Sequence, residues 1–258
     1  MNSAAAPLAG RGILVTRPAQ QAGSLAARIR AAGGEPILFP VLEIVDTDNT
    51  GPLQDAIGRL DEYRLAVFIS PNAVARAMKQ VAARRSWPAS LRVAAIGKGS
   101  VRELERVGIT GAIAPDRHFD SEHLLELPEL QSVAGQRIVI FRGDGGRELL
   151  GDTLTARGAR VDYVECYRRA RPQADATPLL AAWAAGALHA VTITSSEGMR
   201  NLYEMVGEAG RTRLCGTPVF APHPRIAAVA RELGCRRVID TAPGDDGLMD
   251  ALQHHFSA

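Results

Sequence analysis

The chain repeats itself on the scale of a domain. Ala9-Gly10-Arg11-Gly12-Ile13-Leu14-Val15-Thr16-Arg17 returns as Ala134-Gly135-Gln136-Arg137-Ile138-Val139-Ile140-Phe141-Arg142, 125 positions further on. Leu65-Ala66-Val67-Phe68-Ile69-Ser70 returns as His189-Ala190-Val191-Thr192-Ile193-Thr194, at an offset of 124. Val93-Ala94-Ala95 returns as Val219-Phe220-Ala221, Gly108 as Gly234 and Asp120 as Asp246, all at 126. So long a period does not fit a solenoid, whose repeats are several times shorter. It indicates one domain-sized unit present twice, and two similar lobes leave a cleft suited to a ligand. A chain of 258 residues has the length for two such domains.

With 46% hydrophobic and 22% charged residues, the chain has the composition of an ordinary globular protein. A net charge of +2 does not call for a nucleic-acid partner. Lys79 and Lys98 are the only lysines, so arginine carries almost all the positive charge. A GC-rich genome accounts for that bias, yet arginine also holds carboxylates through two hydrogen bonds at once. Cys166, Cys215 and Cys235 are too few and too scattered for a disulfide framework or a metal knuckle. They suggest a reducing compartment. Met1 to Gly10 shows no signal-peptide pattern, and no window is apolar enough for a membrane span, so the cytoplasm is expected.

Apolar runs alternate with amphipathic stretches. In the first half the runs are Gly12–Thr16, Pro36–Phe39, Leu65–Ile69, Arg92–Ile96 and the short Ala112–Ala114. Helical stretches follow from Pro18, Pro52, Pro71 and Ser100, and Asp120 or Ser121 caps another. The second half repeats this from Arg137 to Phe256. Strands each followed by a helix imply parallel sheets covered on both faces. Five strands per copy fit a flavodoxin-like doubly wound unit. The repeat alone leaves open whether the lobes are sequential or have exchanged their first βαβ units. Segments 38–44 and 161–168 are the candidate crossings.

In such sheets the binding crevice lies beyond the carboxyl ends of the strands, where the next helix presents unpaired N–H groups. The residues at those ends are Thr16-Arg17-Pro18, Ser70-Pro71-Asn72 and Gly97-Lys98-Gly99-Ser100 in the first copy. In the second they are Arg142 to Arg147, Thr194-Ser195-Ser196 and Pro222-His223-Pro224-Arg225. Nearly every end offers a hydroxyl, a glycine or a cation, and only Asp144, Glu148 and Glu197 bring carboxylates. This is the inventory of an anion-binding cleft. The candidate ligands are Arg17, Ser70, Asn72, Gly97, Lys98, Arg142, Gly143, Arg147, Thr194, Ser195, Ser196 and His223. Arg147, one helical turn after Gly143, is expected to point back to the crevice. The competing readings are ordinary: hydroxyls and Asn72 as helix caps, glycines as turns, Arg17 and Arg142 as surface ion-pair partners, and His223 fixed between two prolines.

Several chemistries lack their motifs. There is no GxxxxGK[ST] phosphate loop, HExxH, CxxC or GxSxG elbow. Gly143-Asp144-Gly145-Gly146 lacks the third glycine of a dinucleotide fingerprint. The expectation is anion binding without metal, nucleotide or activated nucleophile.

Along essentially its whole length the chain resembles the uroporphyrinogen-III synthase family. The stretches that carry the resemblance begin with Val15-Thr16-Arg17-Pro18, Phe68 to Val74, Ala95-Ile96-Gly97 and Asp120 to Leu125. They continue with Arg142-Gly143 through Leu150, Tyr163 to Tyr167, Thr194-Ser195-Ser196 and the turn Pro222 to Ile226. The resemblance implies two flavodoxin-like lobes joined by a two-stranded linker, with the first βαβ unit beside the C-terminal half. One lobe then covers 1–38 and 168–258, the other 44–161, with linkers at 38–44 and 161–168. It implies a cofactor-free lyase that closes hydroxymethylbilane, a linear tetrapyrrole, with loss of water and inversion of the last pyrrole ring. It also implies a monomer in transient contact with hydroxymethylbilane synthase. Tyr167 matches the family's tyrosine in the second crossing segment and is the candidate general acid facing the cleft; the alternative is an aromatic packing the hinge. Two departures stand out: the Pro222 to Arg225 turn, and Glu197 beside an anion site. The rival from another class is a non-catalytic two-lobed protein binding a polycarboxylate.

Overall fold

A computed structural model describes residues 6–257. Residues 1–5 and 258, which belong to the expected first lobe, lie outside the described residues, as does the start of the N-terminal segment read for a signal. The elements run β1 (Gly12–Val15), α1 (Ala19–Ala31), β2 (Glu35–Leu38), β3 (Glu43–Val45), α2 (Gly51–Gly58), β4 (Leu65–Phe68), α3 (Pro71–Ala82), β5 (Arg92–Ala95) and α4 (Lys98–Arg106). Then come α5 (Ser121–Glu126), α6 (Pro128–Gln131), β6 (Arg137–Gly143), α7 (Leu149–Ala156), β7 (Arg160–Ala170), α8 (Thr177–Ala184) and β8 (Ala190–Thr192). The chain closes with α9 (Ser196–Met205), α10 (Gly207–Gly216), β9 (Val219–Ala221), α11 (Pro224–Glu232), β10 (Val238–Asp240) and α12 (Gly244–Ser257).

Two compact units result, one of Met1–Glu43 with Ala170–Ala258, the other of Ile44–Arg169. The first holds a sheet ordered β10-β9-β8-β1-β2, parallel throughout. The second holds β3-β7-β6-β4-β5, in which β7, β6, β4 and β5 are parallel. Both are doubly wound α/β sheets of flavodoxin-like order, in which a βαβ unit supplies two neighbouring strands and later strands extend beyond the first of them. In the second unit that βαβ is β6-α7-β7, which follows β4 and β5 in the chain.

The apolar runs are strands because both faces of each sheet are covered. In β4, Leu65 and Val67 pack with Ile138, Ile140, Leu124 and Leu154 on one face. Ala66 and Phe68 pack with Val139, Phe141, Val74 and Leu104 on the other. In the first unit, Leu14 meets Val191, Met199 and Leu214 on one face of its sheet. Ile13 and Val15 meet Leu25, Phe220 and Leu248 on the other. Thr16 and Thr192 are buried there and tie β1 to β8 reciprocally, each hydroxyl donating at 2.8 Å to the carbonyl of Thr192 and Leu14 respectively. Gly33 ends α1 at φ 83°, a left-handed turn that a side chain would disfavour.

One expectation changes. Ala112–Ala114 is not a strand: Ile113 makes a single parallel bridge to Ala94. Gly111 at φ 71° before it and Pro115 after it stop the ladder from extending. Segment 161–168, expected as one strand of the linker, is a strand. It lies inside β7, paired to β6 from Arg137↔Arg160 to Gly143↔Tyr167, because Val164 and Cys166 belong to the core.

Candidate active site

In the second unit the carboxyl end of β4 delivers Ser70. Its extended backbone (φ −158°) caps α3, and its Oγ accepts from the Ala73 N–H at 3.1 Å. The same Oγ lies 3.0 Å from the Tyr167 hydroxyl. This contact depends on an irregularity in β7. Arg142 pairs with Glu165 but Gly143 pairs with Tyr167, so Cys166 is an extra residue in the ladder. A bulge of this kind re-aims the side chains beyond it. Cys166 and Tyr167 therefore both join the Phe141–Val164 core, although successive strand residues normally alternate. Burial pushes the Cys166 thiol up to about 12, which keeps it protonated and unreactive. Gly143 has to be glycine: a Cβ there would lie 2.6 Å from the Tyr167 ring.

Tyr167 does not face open space as expected, being only 2% exposed. Ser70 is half-buried and lies nearer the surface. Asn72 is the second residue of α3, half-buried, with no side-chain hydrogen bond among the described residues. Gly97 precedes α4 and Lys98 opens it, so the first N–H groups of that helix have no side-chain cap. Lys98 Nζ stands 5.3 Å over the ring of the exposed Phe119. Nearby, Asp120 caps α5 by accepting from the His123 N–H at 2.9 Å.

The first unit holds its candidates around a cavity. Thr194, Ser195, Ser196 and His223 line it together with Arg225, Ile226, Pro243 and Gly244, and its volume is 550 Å³. Ser195 caps α9, its Oγ accepting from the Gly198 N–H at 2.9 Å. His223 caps α11 through Nδ1, which accepts from the Arg225 N–H at 3.1 Å. That bond fixes the imidazole, as the flanking prolines suggested. Arg225 is exposed, and among the described residues no carboxylate pairs with it. Arg225, Pro243 and Gly244 were not candidates by sequence. The signal for Arg225 was its place in the Pro222 turn; for the other two it was the strand end after β10.

Of the three arginine candidates, Arg17 and Arg147 are ion-paired, whereas Arg142 is only partly engaged. Arg17 is ion-paired to Asp245. Burial raises the Asp245 carboxyl, but hydrogen bonds from Arg17 and Ser24 outweigh it, so its pKa ends below the ordinary value. Arg147 is exposed and held by Glu122, with its Nη2 donating at 3.0 Å. Residues 145–147 form a bend and loop, and α7 begins only at Leu149, so Arg147 has no helical turn to direct it. Arg142 is 8% exposed and stacks on Tyr163, 4.3 Å from the ring centre. Glu165 and Glu148 lie 3.7 and 3.9 Å from its Nη2. Tyr163 is itself held in place: its hydroxyl accepts from Gly151 N–H at 2.9 Å and donates to the Glu148 carbonyl at 3.0 Å. These charges secure the scaffold. The groups without a partner among the described residues include Lys98, Arg225 and the buried Nε and Nη1 of Arg142.

A family model described as uroporphyrinogen-III synthase HemD matches residues 23–250. The chain belongs to the uroporphyrinogen-III synthase family. It is 38% identical to the uroporphyrinogen-III synthase of Escherichia coli (strain K12), over 93% of this chain and 99% of that protein. It is 31% identical to that of Synechococcus elongatus, over 96% of each chain. Among solved structures, the uroporphyrinogen-III synthetase of Helicobacter pylori superposes with a TM-score of 0.61 at 10% identity, covering 95% of this chain and 99% of that one. A mutant uroporphyrinogen III synthase from the extreme thermophile Thermus thermophilus gives 0.58 at 19% identity, covering 96% and 98%. The α/β architecture is thus that of the family's solved members. Among the described residues no cluster of His, Cys, Asp and Glu is placed to hold a metal, and no helix is long and apolar enough to cross a membrane.

Proposed function

We propose that the chain converts hydroxymethylbilane to uroporphyrinogen III, losing water, closing the macrocycle and inverting the last pyrrole ring. Full-length kinship to the synthase family is the observation that carries this reading, and the strand-end chemistry supports it. Pyrroles are already nucleophilic, so the reaction asks for no strong base, redox group or cofactor. Departure of the hydroxyl leaves an azafulvenium cation, which the last ring attacks at its substituted carbon. The spiro intermediate fragments and recloses at the free carbon. The substrate closes spontaneously without inversion, so the protein's main task is to hold one conformation.

The residues suited to that task hold carboxylates. In the second unit they are Asn72, and Gly97 and Lys98 at the start of α4. In the first they are Thr194, Ser195, Ser196, His223 and Arg225 around the cavity. A hydrogen bond to a charged group contributes about 1.5–3 kcal/mol. Arg17 and Arg147 are held in ion pairs, and Arg142 keeps two nitrogens without a partner, which suits it to a carboxylate at that strand end. Tyr167, in contact with Ser70, supplies the mild acid for the departing hydroxyl. The enzyme acts as a cytoplasmic monomer and receives its unstable substrate through transient contact with hydroxymethylbilane synthase.

The test is to supply hydroxymethylbilane and separate the porphyrin isomers after oxidation. The type III isomer in excess over the spontaneous type I supports the reading. Type I alone, at the uncatalysed rate, contradicts it and favours a non-catalytic polycarboxylate-binding protein.

A further inference from the structure

The Ser70–Tyr167 contact has a direction that follows from counting protons. Each hydroxyl has one proton and two lone pairs. If Ser70 donated to Tyr167, the phenol proton would need another acceptor. Tyr167 is 2% exposed inside an apolar cluster, and among the described residues no other acceptor lies within hydrogen-bonding distance. A buried donor left unmade is costly. If Tyr167 donates instead, both hydroxyls are satisfied. The two lone pairs of Ser70 Oγ are then taken, one by the Ala73 N–H and one by the phenol. Its own proton is the only hydrogen-bonding capacity left, and Ser70 is the member of the pair that reaches the surface.

We propose that Ser70 is the group that meets the departing hydroxyl of the substrate, and that Tyr167 acts behind it as the proton reservoir. As the carbon–oxygen bond breaks, the leaving oxygen takes the Ser70 proton and departs as water, while Ser70 takes the Tyr167 proton. The negative charge left on the pair balances the azafulvenium cation. When the ring recloses, the free carbon of the last pyrrole loses its proton, which returns through Ser70 to Tyr167. Atoms and charge balance without an added reactant. The bulge at Cys166 and the missing side chain at Gly143 place the phenol beneath Ser70.

This inference rests on the lyase reading above. It is tested by turnover of Ser70→Gly, Tyr167→Phe and the double variant, with glycine chosen because it keeps a helix N-terminus nearly as stable as serine does. Two donors in series predict the same loss, roughly 10²-fold to 10⁴-fold, in each single variant and in the double. Ser70→Thr, which keeps the hydroxyl, should restore most of the turnover. A proton inventory in mixed light and heavy water should be curved for the wild type and straight for Tyr167→Phe. Losses that multiply in the double variant, or a straight inventory in the wild type, overturn the relay while wild-type formation of the type III isomer leaves the lyase reading standing. A wild type that forms only type I sinks both.

Discussion

The two units share the order of four parallel strands and differ in what stands behind the end of the strand next to their first. In the second unit β7 fills that place, and its bulge brings Tyr167 under Ser70. In the first unit β2 fills it, with regular register from Gly12↔Glu35 to Val15↔Leu38. The chain leaving β2 buries Phe39 and Val41 in the core and supplies no hydroxyl there. Ser195 caps α9 as Ser70 caps α3, but among the described residues no tyrosine hydroxyl lies within hydrogen-bonding distance of it. The strand ends of the first unit open instead onto a 550 Å³ cavity that includes an unpaired Arg225. One topology thus carries two local chemistries. One end sets a serine hydroxyl against a buried phenol, the other lines a cavity with hydroxyls, His223 and Arg225.

The comparison breaks most readily at Gly143. Gly143→Ala drives a methyl group into the Tyr167 ring and should cost about 1–3 kcal/mol, as overpacking does. Denaturant unfolding measures the loss, and turnover should fall with it, because the phenol leaves Ser70. A Gly143→Ala protein of unchanged stability and turnover would show that the bulge positions nothing.

Ser195→Ala sharpens the comparison from the other side. Loss of the cap should cost about 1 kcal/mol and leave the cavity with one donor fewer. Thermal melts report the first effect and a raised KM the second, with kcat kept. A fall in kcat at unchanged KM would place proton chemistry in the first unit as well.

Two pH effects follow at smaller scale. The Asp245 carboxyl is held below its ordinary value, so the Arg17 contact contributes above the unfolded pKa and is lost as the pH falls through the lowered one. Wild type and Asp245→Asn should differ in Tm near neutrality and converge at strongly acid pH; a constant gap would contradict the pairing. His123 runs the opposite way. Its hydrogen bond to Asp120 raises its pKa, so that contact contributes below the ordinary histidine value and fades as the pH rises through the raised one. A proton NMR titration should place His123 above an exposed histidine, and Asp120→Asn should bring it down.

Much of the fold was readable because buried parallel strands are continuous apolar runs and their helices begin at Pro, Ser and Asp. Ser70, Ser195 and Asp120 were visible as caps for the same local reason. Ion pairing of Arg17 and Arg142 was in view as an alternative, but the partners were not readable. Glu122, Asp245 and Glu165 come from elements distant in sequence from the strand ends they neutralise. The depth of Tyr167 was hidden because a one-residue bulge reverses the facing of everything after it, and no period-two pattern announces where it falls. Arg225 was in view in its turn, but its lack of a carboxylate partner is a fact of the fold.

The measurement closest to the central claim is a paired kinetic one, kcat and KM for Tyr167→Phe and Arg225→Gln with hydroxymethylbilane as substrate. Tyr167→Phe should lower kcat roughly 10²-fold to 10⁴-fold with KM little changed. Arg225→Gln should raise KM by about tenfold to a hundredfold, the worth of a hydrogen bond to a charged group, with kcat little changed. The opposite split, with Tyr167→Phe acting on KM and Arg225→Gln on kcat, would contradict the division of labour between the two strand ends.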